Sequence, residues 1–135
     1  MESARDRWKV FYDEGIAYYG RAVIGNANGY TPELLHGIVS MAAEKLLMAL
    51  IVRQNRLPEG HTFTELLDAL PDSFDTDGTL RSDLSLLDDM IPLCSLDPAQ
   101  SWKIPAHLAP KIMQIAEKTR DSVDDAMNEI SGSEQ

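Results

Sequence analysis

Seven consecutive apolar residues, LLMALIV at 46–52, restrict the fold of this 135-residue chain more than any other feature. They belong to a stretch in which six residues recur at spacings of three and four and so lie on one helical face: Leu35, Val39, Ala42, Leu46, Ala49 and Arg53. Because seven residues at about 3.6 per turn pass almost twice round a helix, this segment is apolar on every face. Such a helix is buried all round, either at the centre of a bundle or in a subunit interface.

The sequence before this segment also has helical periodicity, and no β-type alternation continues beyond a few residues anywhere in the chain. A first helix is predicted from about Ser3 to Ile24, and the Gly and Asn residues within 25–29 are expected to end it. Six of its residues are expected to face inward: Trp8, Phe11, Tyr12, Ile16, Tyr19 and Val23.

Capping residues give the starts of the next two helices. Thr31 is expected to cap the second helix, with Pro32 in its first turn, and the break LPEG at 57–60 is expected to end it. Thr62 and Glu65 form a capping box that begins a third helix, because each side chain can satisfy a free backbone N–H of the other residue.

The second half of the chain is also predicted to be helical. Pro71 is expected to end the third helix, a fourth is predicted at about 80–91, and residues 92–107 are expected to be irregular. The last helix is expected to begin near Pro110 and to direct six residues inward: Ile112, Ile115, Thr119, Val123, Ala126 and Ile130. With no repeat or linker, residues 1–135 are predicted to form a single all-α domain, a bundle of four or five helices.

Composition favours a soluble cytoplasmic protein. The only cysteine, Cys94, cannot form an intrachain disulfide, which favours a reducing compartment. The charged start MESARDRWKVF contains no apolar signal region, and the longest apolar run, 46–52, is far shorter than the roughly 20 residues of a membrane span. We therefore expect no membrane association.

The net charge of −10 is concentrated in one part of the chain. Residues 62–100 contain nine acidic residues against Arg81 alone, whereas residues 1–61 contain seven acidic and seven basic residues. Contacts to nucleic-acid phosphates need Lys and Arg side chains, so we expect any RNA contact on the electroneutral first half, near Arg53 and Arg56.

Metal and cofactor sites are not predicted. The turn DSFDTDG at 72–78 does not meet the calcium-loop pattern, because Leu84 stands where the bidentate Glu is required when Gly78 occupies the sixth position. An acidic Asx-type turn is the better interpretation. The three histidines have no HxH or CxxC partner, and no Gly-rich phosphate loop is present.

Arg53, Arg56 and His61 are the candidate functional residues. An arginine can hold a scissile phosphate with two hydrogen bonds, and a histidine can transfer the proton of a 2′-hydroxyl or a leaving oxygen. The three together could cleave RNA without a metal. A structural interpretation has equal physical support. Arginines near a helix C-terminus interact favourably with the free carbonyl groups there. His61, just before the third helix, can pack on Leu66 in a hydrophobic staple.

The stretch AAEKLLMALIVRQNRLPEGHTFTELLDAL, at 42–70, resembles the hallmark segment of HEPN domains. The preceding long helix and the later segment IMQIAEKTRDSVDDAM also match the layout of that family, so the resemblance covers most of the chain. It implies an up-and-down helical bundle, a fold that in this family usually forms homodimers. Many relatives are metal-independent ribonucleases that are paired with a small nucleotidyltransferase antitoxin, and others are inactive binding or assembly modules.

The family's nuclease motif is an arginine followed after four to six residues by a histidine. Arg56 and His61 have that spacing, with Leu57 rather than a polar residue after the arginine; Arg53 precedes polar Gln54 but is separated from His61 by seven residues. The resemblance thus implies His61 as general acid/base, with Arg56 and Arg53 holding phosphate.

Two hypotheses follow from different classes of function. The first is a non-catalytic module that binds a nucleotidyltransferase-type partner through its acidic second half. The second is a metal-independent ribonuclease, the toxin of a toxin–antitoxin pair, that uses Arg56, Arg53 and His61.

Overall fold

All regular structure in the described residues, 6–90 and 103–133 of a computed structural model, is helical, as predicted. The five α-helices in these two ranges are α1 (Arg7–Ala27), α2 (Pro32–Arg53), α3 (Phe63–Asp68), α4 (Thr79–Asp89) and α5 (Ala109–Ser133), with one 3₁₀ turn at Ala106–Leu108. Ser3, Cys94 and most of the predicted irregular segment 92–107 lie outside the described residues.

Helix α2 is the centre of the bundle. Every residue from 46 to 51 is at most 9% exposed within the single chain, because α1 and α5 both pack on α2. Of the two alternatives for the segment 46–52, the centre of the bundle thus applies to residues 46–51, and Val52 is half-buried. The homodimer stays a prediction.

Helix α2 is long enough and apolar enough to cross a membrane, and no other helix in the described residues is. Its mean hydropathy over 18 residues is 1.7. The seven-residue run understated this, because the uncharged stretch LHGIVSMAA at 35–43 precedes it and lengthens the apolar window. A buried core helix meets the same criterion, and 67% of the window is buried. This fits the core helix of a soluble protein.

Helices α1 and α2 are antiparallel and approach closely at Gly15. A Cβ atom at this position would lie 2.8 Å from Leu46 Cγ and 3.1 Å from the Leu46 backbone nitrogen. Its neighbour Glu14 binds Lys45 Nζ at 2.9 Å across the same pair of helices. The absent side chain therefore allows the two helix backbones to pack together.

The inward face of α1 differs from the predicted one at its C-terminal end. Val23 is 44% exposed, and the buried residues of the helix are Gly15, Ala22 and Gly25. The predicted aromatic residues are half-buried and pack on the edge of the core. Hydrophobic periodicity located the large side chains, but the face nearest α2 is the face with the smallest ones.

Predicted N-caps are confirmed in α2 and α3. Thr31 Oγ1 accepts a hydrogen bond from the Leu34 N–H at 3.2 Å, and Pro32 begins the helix. The capping box is complete: the Glu65 N–H donates to Thr62 Oγ1 at 3.1 Å, and the Thr62 N–H donates to Glu65 Oε1 at 3.4 Å.

Helix α2 ends before the predicted break at 57–60. Asn55 has a left-handed backbone, φ +57°. Its N–H donates to Val52 O at 2.9 Å, and the Arg56 N–H donates to Ile51 O at 3.0 Å. This is the Schellman arrangement, in which one left-handed residue lets the chain satisfy the last carbonyls of the helix. Asn55, not Pro58 or Gly60, therefore ends α2.

The acidic turn at 72–78 caps α4. Asp75 Oδ1 accepts a hydrogen bond from the Leu80 N–H at 2.8 Å, and Asp75 Oδ2 accepts one from the Arg81 N–H at 2.9 Å. Asp77 Oδ1 accepts from the Thr79 N–H at 3.0 Å, which is an Asx turn as predicted. These carboxylates are used by the helix N-terminus, where negative charge is favourable.

Helix α5 places Ile112, Ile115, Thr119 and Val123 in the core as predicted, and Ala126 and Ile130 are half-buried.

Candidate functional site

His61 lies against α2, beside a residue that the sequence analysis did not select. Its Nδ1 atom is 3.1 Å from Oε1 of Glu44, and its side chain is 70% exposed. The capping box begins α3 at Phe63, which is buried, so the preceding loop is held against the bundle with His61 at its surface. The side-chain partner is therefore a carboxylate, where the structural interpretation expected Leu66.

The contact between Glu44 and His61 has a definite chemical consequence. When Nδ1 carries the proton and donates it to the carboxylate, the Nε2 lone pair is free to accept a proton from solvent or a ligand. A carboxylate that orients a histidine in this way supports general acid/base chemistry. The pair alone, however, provides nothing that would bind phosphate.

Arg56 is directed to a different helix. Its Nη1 donates to the Ala69 carbonyl at 3.4 Å, at the C-terminal end of α3. A cation is favourable there because the carbonyls at a helix C-terminus carry partial negative charge. The structural role predicted for the arginines therefore applies to Arg56, but at α3 and not at α2.

Arg53 packs on α1. Its guanidinium carbon is 5.6 Å from the centre of the Trp8 ring. This cation–π contact joins the C-terminal end of α2 to the N-terminal end of α1. Glu44 and Arg53 are nine residues apart on α2, which corresponds to about 13 Å along the helix axis. The imidazole of His61 is thus held at a different level of α2 from Arg53.

The three candidate residues consequently have three separate attachment points: Trp8 for Arg53, the end of α3 for Arg56 and Glu44 for His61. The partner of Arg56 at the end of α3 borders an acidic cleft. A cavity of about 300 Å³ beside Ala69 is lined by Leu57, Glu59, Glu65, Asp68 and Ala69. Three carboxylates in one cleft oppose the approach of a phosphate group.

Glu44 was missed because no spacing rule relates it to His61, which lies seventeen residues further along the chain. Its only sequence signal is its position in the AAEK segment of the family resemblance. Among residues 6–90 and 103–133, no group of three or more His, Cys, Asp or Glu side chains is arranged to hold a metal ion.

No protein-family model, curated protein or solved structure matches the chain. The resemblance to HEPN domains accordingly stays a prediction carried by the quoted residues.

Proposed function

We propose that this chain is a HEPN-like binding module, soluble and cytoplasmic, that forms a homodimer and pairs with a nucleotidyltransferase-type protein rather than cleaving RNA. The observation that carries the proposal is the separation of Arg53, Arg56 and His61 onto three different partners within the chain. Metal-independent cleavage needs the phosphate-binding cation and the acid/base within reach of one phosphodiester.

The cleft beside α3 supports an interaction with a basic protein surface. Leu57 is 88% exposed, more than any other large hydrophobic residue in the described ranges, and it stands in the same cleft as Glu59, Glu65 and Asp68. Protein interfaces commonly combine an apolar anchor with complementary charges around it. A partner with an apolar pocket bordered by Lys or Arg fits this arrangement.

Calorimetric titration of the full-length chain with a purified minimal nucleotidyltransferase encoded beside it tests the pairing. We expect saturable binding that is weakened in the double variant Leu57→Ser, Glu59→Lys. Glu117→Lys is the matched control, because Glu117 is exposed on α5 and makes the same charge change elsewhere. Absence of binding at micromolar concentrations, or equal weakening in the control, contradicts the pairing. Static light scattering tests the homodimer, and a mass near 15.0 kDa would show a monomer.

One observation favours the ribonuclease as a second candidate. The Glu44–His61 contact uses Nδ1 of a side chain that is 70% exposed, and Arg56 is exposed and donates a long hydrogen bond of 3.4 Å to Ala69 O. A second copy of the chain could bring an Arg56 side chain to the His61 of its partner. Cleavage of labelled RNA in the presence of EDTA by the wild type, lost in His61→Ala and in Arg56→Lys, would establish this activity in place of the first proposal.

A further inference from the structure

A second cleft lies between the N-terminal part of α1 and the C-terminal part of α5, with a volume of about 470 Å³. Its volume falls within the range of small-molecule sites, which are concave, largely apolar and carry a few convergent polar groups. Trp8, Tyr12 and Met127 supply the apolar surface. None of Arg53, Arg56 and His61 lines it, and Trp8, on which Arg53 packs, is the residue that it shares with the candidate site described above.

The walls of the cleft are fixed by contacts within the protein. The Tyr12 hydroxyl donates to Asp124 Oδ1 at 2.7 Å, which joins α1 to α5. Trp8 meets Tyr12 edge to face, with ring centres 6.2 Å apart and an angle of 69°. Burial, and then the hydrogen bond to Asp124, raise the pKa of Tyr12 to about 12, so its hydroxyl keeps its proton and the link persists at neutral and moderately alkaline pH. The aromatic surface is therefore formed before any ligand arrives.

The polar groups of the cleft carry an excess of negative charge. Asp13 comes from α1, and Asp124 and the Asn128 amide come from α5. The only cation in the lining is Lys9, and its ammonium group lies 3.6 Å from Asp6 Oδ1 and 5.9 Å from the centre of the Trp8 ring. In the described part of the chain, Asp13 makes no ion pair or hydrogen bond. Lys9 and Arg53 already make cation–π contacts with Trp8, so the attraction for an organic cation comes from the two carboxylates beside the aromatic surface.

We propose that the cleft between α1 and α5 binds a small organic cation, a protonated primary amine on a flat or aliphatic body. The body of the ligand covers Trp8, Tyr12 and Met127, and its ammonium group reaches the carboxylates of Asp13 and Asp124. Asn128 accepts or donates a further hydrogen bond at the rim. This binding function differs from the pairing and the RNA chemistry proposed above, because Arg53, Arg56 and His61 do not line the cleft, although Arg53 packs on Trp8 of its wall.

Titration of the full-length chain with three probes of similar shape tests the charge requirement. The probes are 2-phenylethylamine as cation, 2-phenylethanol as neutral molecule and phenylacetate as anion. Binding is measured from the chemical-shift changes of amide and indole N–H groups in two-dimensional NMR spectra. We expect the amine to bind about tenfold more tightly than the alcohol, the contribution of one charge-assisted contact, and to shift the indole N–H of Trp8 and the side-chain amide of Asn128. The anion is expected not to bind.

Two variants test the location. Asp13→Asn is expected to reduce the affinity for the amine about fivefold or more, because it removes one of the two carboxylates while Asp13 is exposed and packs against nothing essential to folding. Asp125→Asn is the matched control, since Asp125 is exposed on the same part of α5 but does not line the cleft. Equal affinity for amine and alcohol, shifts confined to other residues, or an equal loss in both variants would overturn the proposal.

Discussion

Nδ1 of His61 lies 3.1 Å from Oε1 of Glu44, and this contact joins the loop before α3 to the middle of α2. It is exposed on the histidine side, with 70% of that side chain accessible. Exposed ion pairs contribute little to stability, because water and salt screen them and ordering two side chains costs entropy. The contact is therefore better suited to orienting the imidazole than to holding the fold together.

His61→Ala is accordingly expected to change the free energy of unfolding by less than about 0.5 kcal/mol. The capping box of Thr62 and Glu65 remains in the variant, so α3 keeps its N-terminal hydrogen bonds. Urea unfolding followed by circular dichroism measures the difference. A loss of 2 kcal/mol or more, on the order seen for buried contacts, would show that the loop depends on the imidazole.

Asp75→Ala is expected to destabilise the protein by about 1–2 kcal/mol, because both oxygens of this carboxylate accept backbone N–H groups at the start of α4. The natural comparison is Asp72→Ala in the same turn, since Asp72 is exposed and is expected to be close to neutral. Thermal unfolding of both variants gives the answer. If the two variants have the same midpoint of thermal unfolding, the carboxylate of Asp75 does not cap α4.

Asp83 makes the stability dependent on pH. Its Oδ1 and Oδ2 atoms lie 3.2 Å from Lys111 Nζ and 2.9 Å from Lys118 Nζ, and its side chain is 14% exposed. Burial acts to raise the pKa of Asp83, but the hydrogen bonds and charges of Lys118 and Lys111 outweigh burial and hold that pKa below its usual value. This carboxylate therefore stabilises the junction of α4 with α5 in its ionised form.

The sign of the effect follows from linkage. A carboxyl with a lower pKa in the folded state adds stability above its unfolded pKa of about 4, and this stability is lost as the pH falls through the lowered value. Asp83→Asn is expected to be less stable than the wild type at pH 7, with a difference that shrinks below about pH 4. Urea unfolding from pH 7 to pH 2.5 measures it. Asp121→Asn, in an exposed ion pair with Arg120, should show a much smaller dependence.

The sequence predicted those parts of the structure that depend on neighbours along the chain. Thr31, Thr62 and Glu65 act within three residues of their partners, and the caps of both α2 and α3 are present. Contacts between distant segments were not predictable in the same way. The face of α1 that lies innermost is the one that α2 can approach most closely. Hydrophobic periodicity favoured Val23 for this face, whereas the buried residues are the small ones, Gly15, Ala22 and Gly25.

The candidate site illustrates the same limit. The spacing of Arg56 and His61 suggested that their side chains meet, but Asn55 ends α2 before both residues, so both stand in the loop between α2 and α3. Arg56 then reaches the end of α3, and His61 reaches Glu44. The spacing along the chain was correct, whereas the direction of each side chain was set by tertiary contacts that no local pattern contains.

Gly15→Ala tests the packing on which the bundle depends. The added Cβ would lie 2.8 Å from Leu46 Cγ and 3.1 Å from the Leu46 backbone nitrogen, so α1 and α2 would have to separate. Overpacking of this kind costs about 1–3 kcal/mol, which exceeds the roughly 1 kcal/mol that alanine gains over glycine in a helix. Gly20→Ala is the matched variant on the same helix, because a Cβ at Gly20 meets nothing within 4 Å, and we expect it to stabilise by about 0.5–1 kcal/mol. Chemical unfolding of the pair should therefore give changes of opposite sign, and a Gly15→Ala protein as stable as Gly20→Ala would show that the two helices do not meet at Gly15.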